Sequence, residues 1–172
     1  MLVVKRIGVV LLSIVGALAV IVVGMRFTGN PPSEAKLIAN FNNHRATYER
    51  LRDMLITDDQ LLRVADWGIE TESGFEKPRQ GKFPAARYDE YLTLLKEVDA
   101  KGASRGHGKT GVPCVLVWAS GFAGDTRHRS ICWLTVQPQN QIAALDEFER
   151  TPKPRKPMFR HIDAGWYIWA DW

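Results

Sequence analysis

The sequence has little of what most enzyme active sites are built from. Its 172 residues hold two cysteines and four histidines. No His-x-His, His-Glu-x-x-His or Cys-x-x-Cys pattern occurs, so no metal site has its ligand spacing written in sequence. No Gly-x-Ser-x-Gly nucleophile elbow is present either. There is no internal repeat and no low-complexity tract. No cofactor is implied.

Charge of one sign is also scarce once it is located. The formal net charge is +4, and Lys5, Arg6 and Arg26 carry +3 of it. The rest of the chain sets 20 Lys and Arg against 19 Asp and Glu. No basic patch remains to read as a nucleic-acid footprint. Residues 27–99 carry 10 cations and 13 anions, and residues 100–172 carry 10 and 6. This asymmetry suits attraction between the two halves or steering of a charged partner.

What the chain does have, at its start, is an uncharged apolar run. Ile7–Met25 reads IGVVLLSIVGALAVIVVGM, with Ser13 as its only hydroxyl. As a helix it would extend roughly 28 Å, near the hydrocarbon thickness of a bilayer. The expected organisation is therefore a head at residues 1–6, a transmembrane anchor at 7–25, a linker at 26–33 and a folded domain at 34–172. Lys5 and Arg6 outnumber the cation behind the run, which places the N-terminus in the cytoplasm. The expected location is the inner (plasma) membrane, single-pass, with lipid contact through the anchor and the domain periplasmic or extracellular. Ala17-Leu18-Ala19 offers a signal-cleavage site, but cutting there leaves an apolar stub, which favours an uncleaved anchor.

After the Pro31-Pro32 spacer, Ser33 caps a helix whose apolar face is Leu37, Phe41, Tyr48, Leu51 and Leu55. Thr57-Asp58-Asp59-Gln60 fits a capping box opening a short helix to about Asp66, stopped by Gly68. Residues 69–82 read as irregular. Pro84 starts another helix with Tyr88, Tyr91, Leu92, Leu95 and Val98 on one face, and Gly102 ends it. The period then changes. Cys114–Ser120 and His128–Val136 read as strands around a turn at Gly121–Asp125. Gln141–Arg150 is a short helix or a link. Met158–Asp163 and Trp166–Asp171 form a hairpin turning at Ala164-Gly165. The predicted class is α+β: an N-terminal transmembrane helix, then two or three helices packed on an antiparallel sheet of about four strands.

Three groups are candidates for chemistry. Ala103–Thr110 (ASRGHGKT) loosely matches a phosphate loop. A helix leads into it and a strand leads out, the reverse of what phosphate binding requires, so nucleotide is not an expected ligand. Cys114 and Cys132 lie in strand-like runs and are candidates for a disulfide. A Cys–His hydrolase acting on cell-wall material, using either cysteine with His128 or His161, is the catalytic alternative. Five of the six tryptophans fall in the last third. Trp166, Trp169 and Trp172, with Lys153, Arg155 and Lys156 of the nearby TPKPRKP segment, make a candidate binding surface. The functional expectation is a non-catalytic, membrane-anchored domain that binds a protein partner in the envelope, as an accessory subunit or an immunity-type inhibitor. A glycan-binding module using exposed tryptophans is the further alternative.

Overall fold

The computed structural model describes residues 30–77, 79–106, 111–122, 125–145 and 157–171. Ser33 accepts a hydrogen bond from Lys36 N and opens α1, Glu34–Asn43. The Leu37–Leu55 stripe does not run through one helix. It breaks at His44, whose backbone closes α1 and begins α2, Arg45–Thr57. Asn42 and Asn43 before it are poor helix formers, and the break reorients the second segment. The apolar face survives the break: Leu37, Phe41, Tyr48, Leu51 and Leu55 are all buried.

The region read as a capped helix and an irregular stretch folds into strands instead. β1 is Leu61–Ala65, β2 Gly68–Thr71 and β3 Gly74–Glu76. The Thr57–Gln60 run caps nothing ahead of it. Asp58 closes α2, and its carboxylate accepts from Arg87 Nε at 2.8 Å and Tyr91 Oη at 2.9 Å. Both donors lie on α3, Ala85–Glu97, which presents Tyr88, Tyr91 and Leu95 to the core. Gly102 does not end that helix. Asp99 makes the reversal in the left-handed region at φ 53°, and Gly102–Ser104 is strand β4.

The remaining strands are β5 (Cys114–Phe122), β6 (Asp125–Trp133), β7 (Met158–Asp163) and β8 (Trp166–Asp171). They correspond to the four strands read from sequence, but among the described residues the sheet has eight, all antiparallel, in the order β3-β2-β1-β4-β5-β6-β8-β7. The expected four-stranded sheet was half of the real one. Strands of three to five residues, such as β1–β4, are too short to show an alternation, and only pairing with neighbours fixes them. Gly165 turns the β7–β8 hairpin at φ 76°, and a Cβ there would lie 2.8 Å from Trp133 Nε1.

The helices cover one sheet face. Phe41, Tyr48 and Trp166 form an aromatic cluster between helices and sheet, with ring centroids 5.2 to 6.3 Å apart. Leu51, Leu55, Val64, Tyr91, Val115 and Ile131 complete the core around them. A smaller patch joins Leu37 of α1 to Ile168 and Ala170 of β8. Each large apolar side chain buried this way contributes about 1.5–3 kcal/mol.

The expected anchor is not supported. The longest described helices have 13 residues, about 20 Å, against a hydrocarbon layer of about 30 Å. Among the described residues no helix is long and apolar enough to cross a membrane. The head at 1–6 and the run at 7–25 lie outside the described residues, as do residues 26–29 of the linker. The transmembrane reading, and the single-pass inner-membrane location with a periplasmic domain drawn from it, are therefore corrected.

Candidate functional site

The sheet's second face carries the chemistry. Pleating sends alternate residues of a strand to opposite faces. On β6, Ile131 and Trp133 go to the helices, while Thr126, His128 and Ser130 go the other way. On β8, Trp166, Ile168 and Ala170 join the helix-side core, and Trp169 points to the second face. None of the three described helices contributes a residue to the cavity on that face.

The cavity has a volume of about 400 Å³. Its floor crosses three strands, β1, β4 and β5, through Ala65, Gly102, Cys114 and Leu116. Two sequence irregularities make that floor. Gly102 lets β4 lie close to β1: a Cβ there would sit 2.8 Å from Val64 O. A bulge in β5 between Leu116 and Trp118 shifts the pleat. Leu116 and Ala119, three positions apart, therefore both line the cavity, which an unbroken strand does not allow.

Tryptophans stand at both ends. Trp67 sits in the β1–β2 turn, is 51% exposed, and stacks on Phe75 with centroids 5.9 Å apart. The turn that presents it is pinned from below. Tyr88 Oη donates to Ala65 O at 2.9 Å and to Asp66 O at 3.1 Å. Burial raises the Tyr88 phenol above its ordinary pKa, and the charge of Asp66 adds to this, so it stays a donor. At the far end Trp169 stacks on Phe159, 5.9 Å away, and meets the edge of His128 at 5.5 Å. Ser104, Thr126 and Ser130 supply hydroxyls along the wall, and Arg63 and Lys101 supply charge on the β1–β4 side.

Of the residues singled out in the sequence, the two cysteines come together, and Trp166 and Trp169 lie on opposite faces of the sheet. Trp166 is 3% exposed in the helix-side core, so it packs instead of presenting a surface. Trp169 lies on the opposite face, at the cavity. Trp172, Lys153, Arg155 and Lys156 lie outside the described residues. Cys114 and Cys132 are directly opposed on β5 and β6 and joined in a disulfide, 3% and 0% exposed. No thiol is left beside His128. His161 meets Tyr167 across the β7–β8 hairpin at 5.1 Å, ring to ring. Among the described residues no group of His, Cys, Asp or Glu has the geometry to hold a metal ion. Ala103, Ser104 and Gly106 of the glycine-rich run line the cavity, and residues 107–110 lie outside the described residues.

Sequence reading missed Arg63, Trp67, Lys101, Gly102 and Leu116. The one local signal was Asp66-Trp67-Gly68, a large aromatic set in a turn between short strands. No known protein family matches this chain, nor does any curated protein or solved structure.

Proposed function

We propose that this domain is a non-catalytic binding module whose ligand sits on the second face of the sheet, between Trp67 and Trp169. The observation that carries this reading is the cavity of about 400 Å³, bounded by two aromatic side chains on a face that no described helix covers. Ligand sites of about 300–1,000 Å³ lined by aromatic and apolar groups with a few polar ones are the usual form. The disulfide supports binding over catalysis, because it removes both sulfurs as nucleophiles. The reading is tested by titrating the full-length chain with the uncharged dye N-phenyl-1-naphthylamine. Saturable binding that Leu116→Trp abolishes is expected. Binding that Leu116→Trp leaves intact places the dye elsewhere and rejects the reading.

A second reading rests on a different observation. Trp67 and Phe75 are 51% and 57% exposed and stack as a pair at the sheet margin. Exposed tryptophan is the residue that most often anchors a protein interface. A protein partner, held as an accessory subunit or an immunity-type inhibitor holds its target, would seat on this pair. A photo-crosslinker placed at Phe75 tests it: one discrete adduct that Trp67→Ala removes supports it, and none rejects it. Glycan stacking is less well supported, since Phe159 already covers one face of Trp169.

A further inference from the structure

We propose that the cavity takes a small planar organic anion, such as an aromatic carboxylate or sulfonate. This rests on the reading of the cavity as a ligand site and adds the class of ligand. The first observation is charge. Arg63 and Lys101 line the β1–β4 end, and the described lining contains no Asp or Glu. The carboxylates nearest by register are Glu70, opposite Arg63, and Asp171, opposite His128; Asp66 and Asp99 line an adjoining pocket with Lys101 and Trp67, and none of the four lines this cavity. Glu70 stands 3.7 Å from Arg63 Nε, too long for a strong hydrogen bond. A guanidinium presents a planar fork that matches a carboxylate or sulfonate in two parallel hydrogen bonds.

The second observation is polarity along the cavity. Arg63 and Lys101 lie on the β1–β4 side, while Leu116, Ala119 and Trp169 supply apolar surface on β5 and β8, with Ser130 and His128 of β6 between them. A ligand with a ring system and one anionic group fits that division, with the anion toward Arg63 and the ring toward Trp169. Ser104 and Ser130 on the wall donate to oxygen atoms of the same ligand. A wholly apolar ligand would cover Arg63 and Lys101 and add nothing to the 3.7 Å contact of Arg63 with Glu70. A highly charged one would leave the apolar surface against water or desolvate polar groups there.

The test compares two dyes of closely similar ring systems on the full-length chain. One is 1-anilinonaphthalene-8-sulfonate, the other the uncharged N-phenyl-1-naphthylamine. The variant is the double substitution Arg63→Gln and Lys101→Gln, at two exposed positions, with Leu116→Trp as the cavity block. The inference expects the sulfonate to bind about tenfold more weakly to the double variant, as loss of a charged hydrogen bond predicts. The uncharged dye is expected to change less than about twofold, within the scatter of one unaltered apolar contact set. Raising the ionic strength should weaken the sulfonate in wild type and not in the double variant. Equal sulfonate binding by wild type and double variant overturns the anion inference and leaves the cavity reading standing. Failure of both dyes to bind wild type, or binding that Leu116→Trp does not reduce, overturns the cavity reading itself.

Discussion

Cys114 and Cys132 face each other across β5 and β6, with Cα atoms 4.1 Å apart and sulfurs bonded. The bond crosses the two strands that carry the middle of the cavity, so it ties the floor of the site to its wall. It closes a sequence separation of 18 residues. A loop of that length restricts the unfolded chain by about 3 kcal/mol. Replacing both cysteines with alanine should therefore lower the melting temperature by roughly 6–12 °C. Native protein should not react with iodoacetamide, since both sulfurs are held in the disulfide and no thiol is free. Labelling without denaturant contradicts the assignment.

The buried tyrosines make a prediction at alkaline pH. Burial pushes the Tyr48 phenol up, and the charge of Asp99 pushes it further. Burial does the same to Tyr91, with Asp58 beside it. A folded pKa raised above the unfolded value near about 10 gives stability that is complete below that pH and lost as pH rises above it. Phenolate absorbance should show these two tyrosines ionising only together with loss of near-ultraviolet dichroism. Tyr91→Phe should cost about 1 kcal/mol at neutral pH, from the lost bond to Asp58, and should make the alkaline decline shallower. Free titration of all four tyrosines near pH 10 in folded protein contradicts this.

Among the described residues Arg129 is the largest fully buried side chain, at 1% exposure. Its Nη1 donates to His128 O at 3.1 Å, and its guanidinium stands 6.0 Å from the Trp118 ring centroid. Nothing in the sequence marks it out from the neighbouring Arg127. Arg129→Ala should lower stability by about 2–5 kcal/mol, mostly through lost packing and the void left behind. Arg129→Lys should fall between, because an ammonium does not stack as a planar guanidinium does. A urea midpoint for Arg129→Ala equal to wild type contradicts a structural role.

These predictions divide by what the sequence makes legible. Helical spacing was enough for the buried faces of α1, α2 and α3, because Leu51 or Tyr91 recurs with partners one turn away. Ala164-Gly165 was enough for the β7–β8 hairpin, because few residues turn there at positive φ. β1 to β4 were not legible. Their pairing is long-range, and the capping signal at Thr57–Gln60 argued locally for a helix that Arg87 and Tyr91 override by engaging Asp58. The site was less legible still. Ala65, Gly102 and Leu116 are ordinary residues, and only the sheet register and the β5 bulge bring them to one cavity. The cysteine pair was legible as a candidate; its register was not.

The central claim is that ligand sits on the second sheet face and not among the helices. Methyl-resolved NMR of the full-length chain tests it most directly, with N-phenyl-1-naphthylamine as the probe. The account predicts saturable shifts at Leu116 and Ala119, which line the cavity, and none at Leu51 or Leu55, which are fully buried in the helix-side core. Shifts confined to Leu51 and Leu55, or no shift at Leu116, would contradict it.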